Sequence, residues 1–322
     1  MPYDVKPLDL SRVKTYPLGE RANKVQEAAF ARPHQVGANV GDFLDSLPDI
    51  LAARDLRAIG RAWAGAVTEH HPVLLMMGAH VLKVGLAPIL INLLEEGALQ
   101  GIALNGAGIV HDVEVALIGQ TSEDVAAGIK TGRFGMVTET GQFLNRAADE
   151  AYRDHIGLGE AVGRLLHQQA PPHLHRSLLA AAYAAKTPVT VHLAIGGDIQ
   201  HTHPNAHGDA LGAATFHDFR LLCGVVATLR PGSVVLNVGS AVVLPVVFEK
   251  ALTAARNTGA PAEGFVGVTM DFIQHYRSNL NPVSRAKELG GQGYTLTGHH
   301  ELMVPLLTAC LKEELARKTV LK

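Results

Sequence analysis

Five times along this 322-residue chain a short apolar run stops at a glycine, an asparagine or an aspartate, and a helix-period segment follows later. The runs are Pro72–Met77 before Gly78, Gly101–Leu104 before Asn105-Gly106-Ala107-Gly108, and Pro188–Ile195 before Gly196-Gly197-Asp198. Ser233–Asn237 precedes Val238-Gly239-Ser240, and Phe265–Met270 precedes Asp271. An unbroken apolar run of this length fits a strand buried on both faces, and such strands belong to parallel sheets whose crossovers are helices. Strand, glycine turn and helix in repetition is the grammar of βαβ units. The chain is 47% apolar, 18% charged and 5% aromatic, rich in Gly, Ala, Val and Leu. That composition suits helices covering a parallel sheet better than a β-sandwich. The expected fold is therefore α/β, a Rossmann-like parallel sheet with helices on both faces and an irregular N-terminal arm.

Residues 1–40 form that arm, with scattered charge, Pro7, Pro17 and Pro33, and no sustained period. Residues 41–322 read as a single α/β domain, since no linker and no internal repeat divides them. A first helix covers 42–66, capped by Asp42 or Asp45, and a second runs from Leu86 to Glu96 and ends at Gly97. Residues 119–180 are largely helical, 199–212 form a His- and Gly-rich loop, and helices cover 216–229 and 242–256. A loop spans 273–297 before a closing helix over 301–316.

Net charge is -2 with His neutral, so no basic surplus points to nucleic acid. Cys223 and Cys310 lie in apolar helical stretches and read as buried thiols rather than a disulfide framework. Met1-Pro2-Tyr3-Asp4 lacks a signal-peptide core, and no apolar run approaches the roughly 18 residues of a membrane span. These readings place the protein in the cytoplasm, away from membranes.

The turn Asn105-Gly106-Ala107-Gly108, running on to His111 and Asp112, lets backbone amides approach a ligand and aims a helix N-terminus at an anion such as pyrophosphate. Gly239-Ser240 repeats the arrangement, as do Gly78-Ala79-His80 and Gly196-Gly197-Asp198. If the strands are parallel, these ends converge on one crevice. The cluster Asp198, His201, His203, His207 and Asp209 has residue types that ligate Zn or Fe, or that hydrogen-bond a substrate. The segment from Asp271 through His275, Tyr276 and Arg277 to Val283-Ser284-Arg285-Ala286-Lys287 mixes cations, hydrogen-bonding groups and glycines, as a wall over a site does. Thr297-Gly298-His299-His300-Glu301 opens the last helix, with Glu301 complementing its dipole.

Taken together, residues 70–316 resemble the deoxyhypusine synthase family and its bacterial relatives. The family's Ala-Gly-Gly-Val-Glu-Glu turn matches Ala107-Gly108-Ile109-Val110-His111-Asp112, and its Thr-Ser-Asn-Leu segment matches Gly78-Ala79-His80-Val81. Its glycine triplet falls at Gly239-Ser240-Ala241, and its closing Leu-Val-Phe-Pro-Leu-Leu resembles Leu302-Met303-Val304-Pro305-Leu306-Leu307. The resemblance implies a homotetramer that binds NAD at the strand ends. It also implies oxidation of a spermidine-like small amine and passage of an aminoalkyl group through a lysine imine to an acceptor amine. Residue by residue it implies NAD against Asn105, Gly106, Ala107, Gly108, Asp112, Gly239 and Ser240. The family's Val-Ser-Trp-Gly-Lys falls on Val283-Ser284-Arg285-Ala286-Lys287, which makes Lys287 the imine-forming residue. His203, Asp198 and His275 are the candidates for substrate contact or proton transfer. Pro245, Asn281 and Arg285 stand where the family has a histidine, an acid and a tryptophan. Loss of a carboxylate and gain of a cation suit a carboxylated substrate better than a polycation, with Arg277 beside Arg285. Two rival readings are a metal-dependent hydrolase using Asp198, His201 and His203, and a non-catalytic nucleotide-binding relative.

Overall fold

The computed structural model describes residues 4–320. Six strands make one sheet: β1 (Val73–Met77), β2 (Gly101–Asn105), β3 (Val189–His192), β4 (Val234–Val238), β5 (Val266–Asp271) and β6 (Gln292–Thr297). Their spatial order is β3-β2-β1-β4-β5-β6 and every pairing is parallel. The chain starts at the centre, winds outward to β3, returns to lay β4 against the other side of β1, and winds outward again. Winding therefore reverses between β1 and β4, and the two crossovers there leave a crevice above the strand C-termini.

Two helices precede β1: α1 (Val40–Ser46) and α2 (Leu51–Thr68). α3 (His80–Lys83) and α4 (Ala87–Glu95) link β1 to β2. Between β2 and β3 come α5 (Gly106–Ile118), α6 (Val125–Thr131), α7 (Thr138–Asp154), α8 (Leu158–Gln169) and α9 (Leu178–Ala184). α10 (Gly208–Ala227) and α11 (Val243–Asn257) flank β4, the short α12 (Tyr276–Ser278) and α13 (Arg285–Glu288) join β5 to β6, and α14 (His300–Val320) closes the chain. Side chains alternate across the sheet as the two-residue strand period requires. Val73, Leu75, Met77, Ile102, Leu104, Leu236 and Val238 enter one core with α2, α4, α5, α7, α8 and α14. Leu74, Met76, Ala103 and Val235 enter a second core with Leu222 and Val226 of α10 and Phe248 and Leu252 of α11. Both faces are covered, which explains why β1 is apolar throughout and why β4 carries only one polar residue, Asn237, near its C-terminal end.

Several boundaries differ from the sequence reading. The helix expected over 42–66 is two helices, because Leu47-Pro48 turns the chain between them. β3 ends at His192, so Leu193 to Ile195 belong to the turn. α10 begins at Gly208, eight residues before the expected Phe216. β6 lies inside the expected 273–297 loop: its polar Gln292-Gly293-Tyr294-Thr295 start is half-exposed at the sheet edge, so the apolar signal of the central strands is missing. α10 is also long and apolar enough, by length and composition, to cross a membrane, yet it carries Asp209, Asp218 and Arg220 and packs on the second core. Cys310 is buried and its thiol is pushed up to about 11 by that burial, whereas Cys223 is only half-buried.

Residues 4–28 of the arm leave Val5, Leu8, Leu10, Val13, Tyr16 and Leu18 exposed. The arm is tied down only near its end, where Arg32 N–H donates to Ser46 O and Asp49 N–H to Ala29 O.

Two buried carboxyls hold the helical layer to the sheet. Asp218 of α10 accepts the backbone N–H groups of Gly159 (3.0 Å) and Val191 (2.9 Å), joining the start of α8 to β3. Asp112 of α5 accepts Leu178 N–H at 2.7 Å, Leu179 N–H at 3.3 Å and the Ser177 hydroxyl, so it caps α9. Burial pushes Asp218 up to about 7 and Asp112 up to about 6, against an ordinary value of 3.8. A carboxyl whose folded pKa is raised binds its proton more tightly when folded, so its contribution is greatest below the unfolded pKa and is lost as pH rises through the folded one. Stability is therefore expected to fall between pH 4 and pH 7 by a few kcal/mol. Asp218→Asn keeps an acceptor oxygen without the titration and is expected to flatten that slope in urea unfolding across the range. Parallel slopes for the variant and the parent would contradict the assignment.

Candidate functional site at the strand C-termini

Four strand ends are joined through their backbones. Gly78, after β1, donates its N–H to Val238 O of β4 at 2.9 Å, and Gly239 donates to Met270 O of β5 at 3.0 Å. Gly298, after β6, donates to Asp271 O at 3.1 Å. A Cβ on Gly78 would overlap the Gly239 carbonyl, so only glycine permits the approach of β1 and β4 at the reversal point. Gly239 itself has φ +67, and a Cβ there would stand 2.8 Å from the His300 ring. Behind this turn the buried Asn237 donates from Nδ2 to Ser240 O (2.9 Å) and to Thr269 Oγ1 (3.1 Å). Ser240 Oγ in turn accepts Leu244 N–H at 3.3 Å, tying the turn to the first turn of α11, whose N-terminus points at the strand C-termini.

His300, the first residue of α14, is 1% exposed, and its ring faces the Met270 backbone carbonyl without a well-aligned hydrogen bond. Asp271 Oδ1 lies 3.6 Å from its Nε2, and the His80 ring centroid lies 5.6 Å away. Burial holds the His300 pKa below the ordinary imidazole value, with Asp271 opposing, so the ring is neutral near pH 7. At the rim, Phe272 is 46% exposed and parallel to the His299 ring, with 7° between planes and 5.9 Å between centroids. Val242, Ile273, Tyr276 and Leu302 add exposed apolar side chains from the segments leaving β4, β5 and β6. Flat apolar surface beside a polar crevice is the pattern of a site for a ring-bearing ligand.

The sequence candidates divide. Gly239 and Ser240 line the crevice. His275 is exposed at the start of α12, four residues beyond Asp271. At the β2 end, Asn105 Oδ1 accepts Gly108 N–H at 3.1 Å. Asp198 lies directly over Gly106 and accepts the N–H groups of Ala107 and, at 2.9 Å, Ala194. The amides of Ala107 and Gly108, expected to cradle pyrophosphate, are thus already engaged by the chain's own oxygens. Burial raises the Asp198 pKa at that position. Asp112 faces α9 rather than the crevice, because its carboxylate is taken up in capping that helix.

His203 is buried, its Nε2 2.8 Å from Gly135 O and its ring packed against Gly141, so it fastens its loop to the start of α7. His201 Nδ1 accepts Gly196 N–H at 3.2 Å. Asp198, His201 and His203 therefore turn to different partners, and among the described residues no three His, Cys, Asp or Glu side chains are placed to share a metal ion. The metal-hydrolase reading loses its ligand set. Lys287 also falls outside the crevice. It lies on α13, its Cε near Gly293 at the start of β6, while neighbouring Ala286 packs on Gly267 at the start of β5. At about 3.3 Å rise per strand residue, that is roughly 13 Å along the sheet from Asp271. Arg285 is likewise occupied, 2.6 Å from Glu288 and 3.7 Å from Glu249.

Reasoning from sequence brought His80 and Asp271 together with the other strand ends, but it did not add Phe272 and His300 to them. Gly78-Ala79-His80 and Asp271 were legible as strand ends. His299-His300 was legible only as a helix start, because the strand delivering it to the crevice is the polar edge strand β6.

No family model matches the chain, and no curated protein matches it by sequence. Solved structures do match. A conserved protein from Methanococcus maripaludis S2, assigned as LOR/SDH, is similar at 16% identity and TM-score 0.50, over 82% of this chain and 69% of that one. AgrE, solved in a ternary complex with ornithine and NAD+, is similar at 14% identity and TM-score 0.53, over 83% of this chain. This chain spans about a third of AgrE, 34% of its length. A protein from Entamoeba histolytica assigned as a deoxyhypusine synthase aligns over 87% of this chain and 95% of its own, at 11% identity and TM-score 0.49. At these identities the likeness is one of fold, a Rossmann-like α/β class, and it does not establish the deoxyhypusine synthase family.

Gly78→Ala is expected to cost about 3 kcal/mol or to prevent folding, since backbone must move to admit the methyl group. Asp198→Ala, which removes a side-chain acceptor at the start of α5 without disturbing the β1/β4 backbone contact, is expected to cost only about 1 kcal/mol. Denaturant midpoints for the two variants check the contrast, and equal costs would contradict the tight backbone contact of β1 and β4.

Proposed function

We propose that this chain is an NAD-dependent enzyme that binds the dinucleotide across the β1/β4 crevice and oxidises a small amine. The observation that carries the reading is the glycine-to-glycine contact where the strand order reverses between β1 and β4, with the buried His300 imidazole set between Gly239 and Asp271. The strand order with its reversal is that of dinucleotide-binding folds, and AgrE, similar in fold, was solved with NAD+. NAD supplies a hydride acceptor when bound. Gly78, Gly239 and Ser240 let backbone approach the ligand, and the α11 N-terminus presents its positive end to pyrophosphate. Phe272 and His299 offer a face for a flat ring, while the Asn105–Gly108 turn bounds the β2 side of the crevice. His80 and His275, both exposed at the rim, are the groups that would take a proton from the amine. Exposed Arg277 would favour a substrate bearing a carboxylate.

Transfer of an aminoalkyl group is not part of this reading, because Lys287 stands at the far edge of the sheet. The apolar side chains of the arm fit burial against other copies of the chain, in keeping with the homotetramer that the family resemblance implies.

The test is NAD+ binding followed by thermal unfolding. Saturation at 100 times Kd should add about 2.7 kcal/mol of stability. Phe272→Ala combined with His299→Ala removes exposed rings only and should weaken NAD+ binding about tenfold, the loss of one stacking face. No stabilisation of the parent by NAD+ would contradict the reading. NAD+ binding without NADH formation from any small amine would favour the non-catalytic nucleotide binder.

A further inference from the structure

A second cavity, apart from the β1/β4 crevice, lies between the end of α3, the start of α4, the body of α5 and the segment around residues 173–176. Its volume is about 390 Å³, in the range of small-molecule sites. Lys83, Arg176, His111 and His173 line it. Among the described residues neither Lys83 nor Arg176 is within ion-pair distance of any carboxylate. The one acid in the lining, Asp112, is buried and engaged with Ser177, Leu178 and Leu179. Glu114, beside the lining residue Thr121, accepts the hydroxyls of Thr121 (2.5 Å) and Thr140 (3.2 Å).

The same cavity reaches Ala87 and Pro88, the first two residues of α4, a nine-residue helix with no side-chain cap. Its positive end adds to the cationic wall. On the opposite side His111 Nδ1 lies 2.7 Å from Thr121 Oγ1, which fixes the ring and leaves Nε2 as its other polar atom. The His173 ring rests on Gly119, where φ is +72 and a Cβ would stand 3.0 Å from the ring. Two full positive charges, two imidazoles and an uncapped helix start therefore share one space, while the carboxylates at its wall, Asp112 and Glu114, are turned to hydrogen-bond donors of the chain itself. Concave walls with clustered positive charge concentrate anions.

We propose that this cavity binds a small molecule through an oxyanion, a phosphate or a carboxylate, with Arg176 as the forked donor and Lys83 as the point charge. The planar guanidinium matches either group with two parallel hydrogen bonds. This inference does not rest on the dinucleotide reading, because none of the lining residues belongs to the turns at 78, 239 or 298.

Isothermal titration of the full chain with inorganic phosphate, and separately with succinate, at constant ionic strength tests it. One-to-one saturable binding of either is the expected result, and whichever binds tighter names the oxyanion. Lys83→Gln with Arg176→Gln should weaken that binding at least about tenfold, since one charge-assisted hydrogen bond already amounts to that factor. Both side chains are exposed, so the variant should keep the parent's circular dichroism. The charge-matched control Lys130→Gln with Arg220→Gln, on exposed faces of α6 and α10, should bind as the parent does. Absence of saturable binding, equal weakening in the control, or an unchanged constant in the cavity variant would each overturn the proposal. Displacement of phosphate by NAD+ would overturn its independence, since the cavity would then belong to the dinucleotide site.

Discussion

The structure depends on the contact between two glycines, Gly78 and Gly239, where β1 and β4 lie side by side and their chains diverge to opposite sides of the sheet. The Gly78 amide bonds to the last residue of β4, and the Gly239 carbonyl occupies the space a Cβ on Gly78 would need. From there the hydrogen bonds run outward: Gly239 to Met270 and Gly298 to Asp271. The consequence is mechanical. Backbone rather than side chains fixes the relative heights of four strand ends, so the groups carried on them, His80, Ser240, Asp271 and His300, hold their positions without a flexible link. Fixed geometry of this kind is what a binding site needs and what a loop-built site lacks.

The central fold was legible because central parallel strands announce themselves. Val73–Met77 and Val234–Val238 are buried at every position, so β1 reads as apolar throughout and β4 as apolar but for Asn237, and the sharp stop at glycine marks the end of each. β6 was not legible for the complementary reason. As an edge strand it is half-exposed and begins Gln292-Gly293, so neither hydrophobicity nor alternation rises above a loop. Missing one strand had a cost beyond topology, since β6 carries His299 and His300 to the crevice.

The site was legible in part. Sequence shows which turns follow strands but not which turn is occupied from within. Asp198 is 92 residues from Gly106, and only the tertiary fold lays its carboxylate over that glycine. Asp112 shows the same limit: an acid one turn into a helix looks like a ribose or phosphate contact until Ser177 arrives 65 residues later to take it. Lys287 was placed by motif order, yet order along the chain does not say which end of the sheet a crossover residue occupies. α13 runs back toward the strand starts, and that direction alone takes the lysine away from the chemistry.

The central claim is that the ligand crevice lies at the reversal between β1 and β4. Amide hydrogen exchange of the full chain with and without saturating NAD+ tests it most directly. The account predicts added protection in peptides spanning 78–82, 238–244, 271–276 and 297–302, with little change across 105–112 and 285–290. Protection concentrated at 105–112 and 194–203 instead, or no change at any strand end, would contradict it.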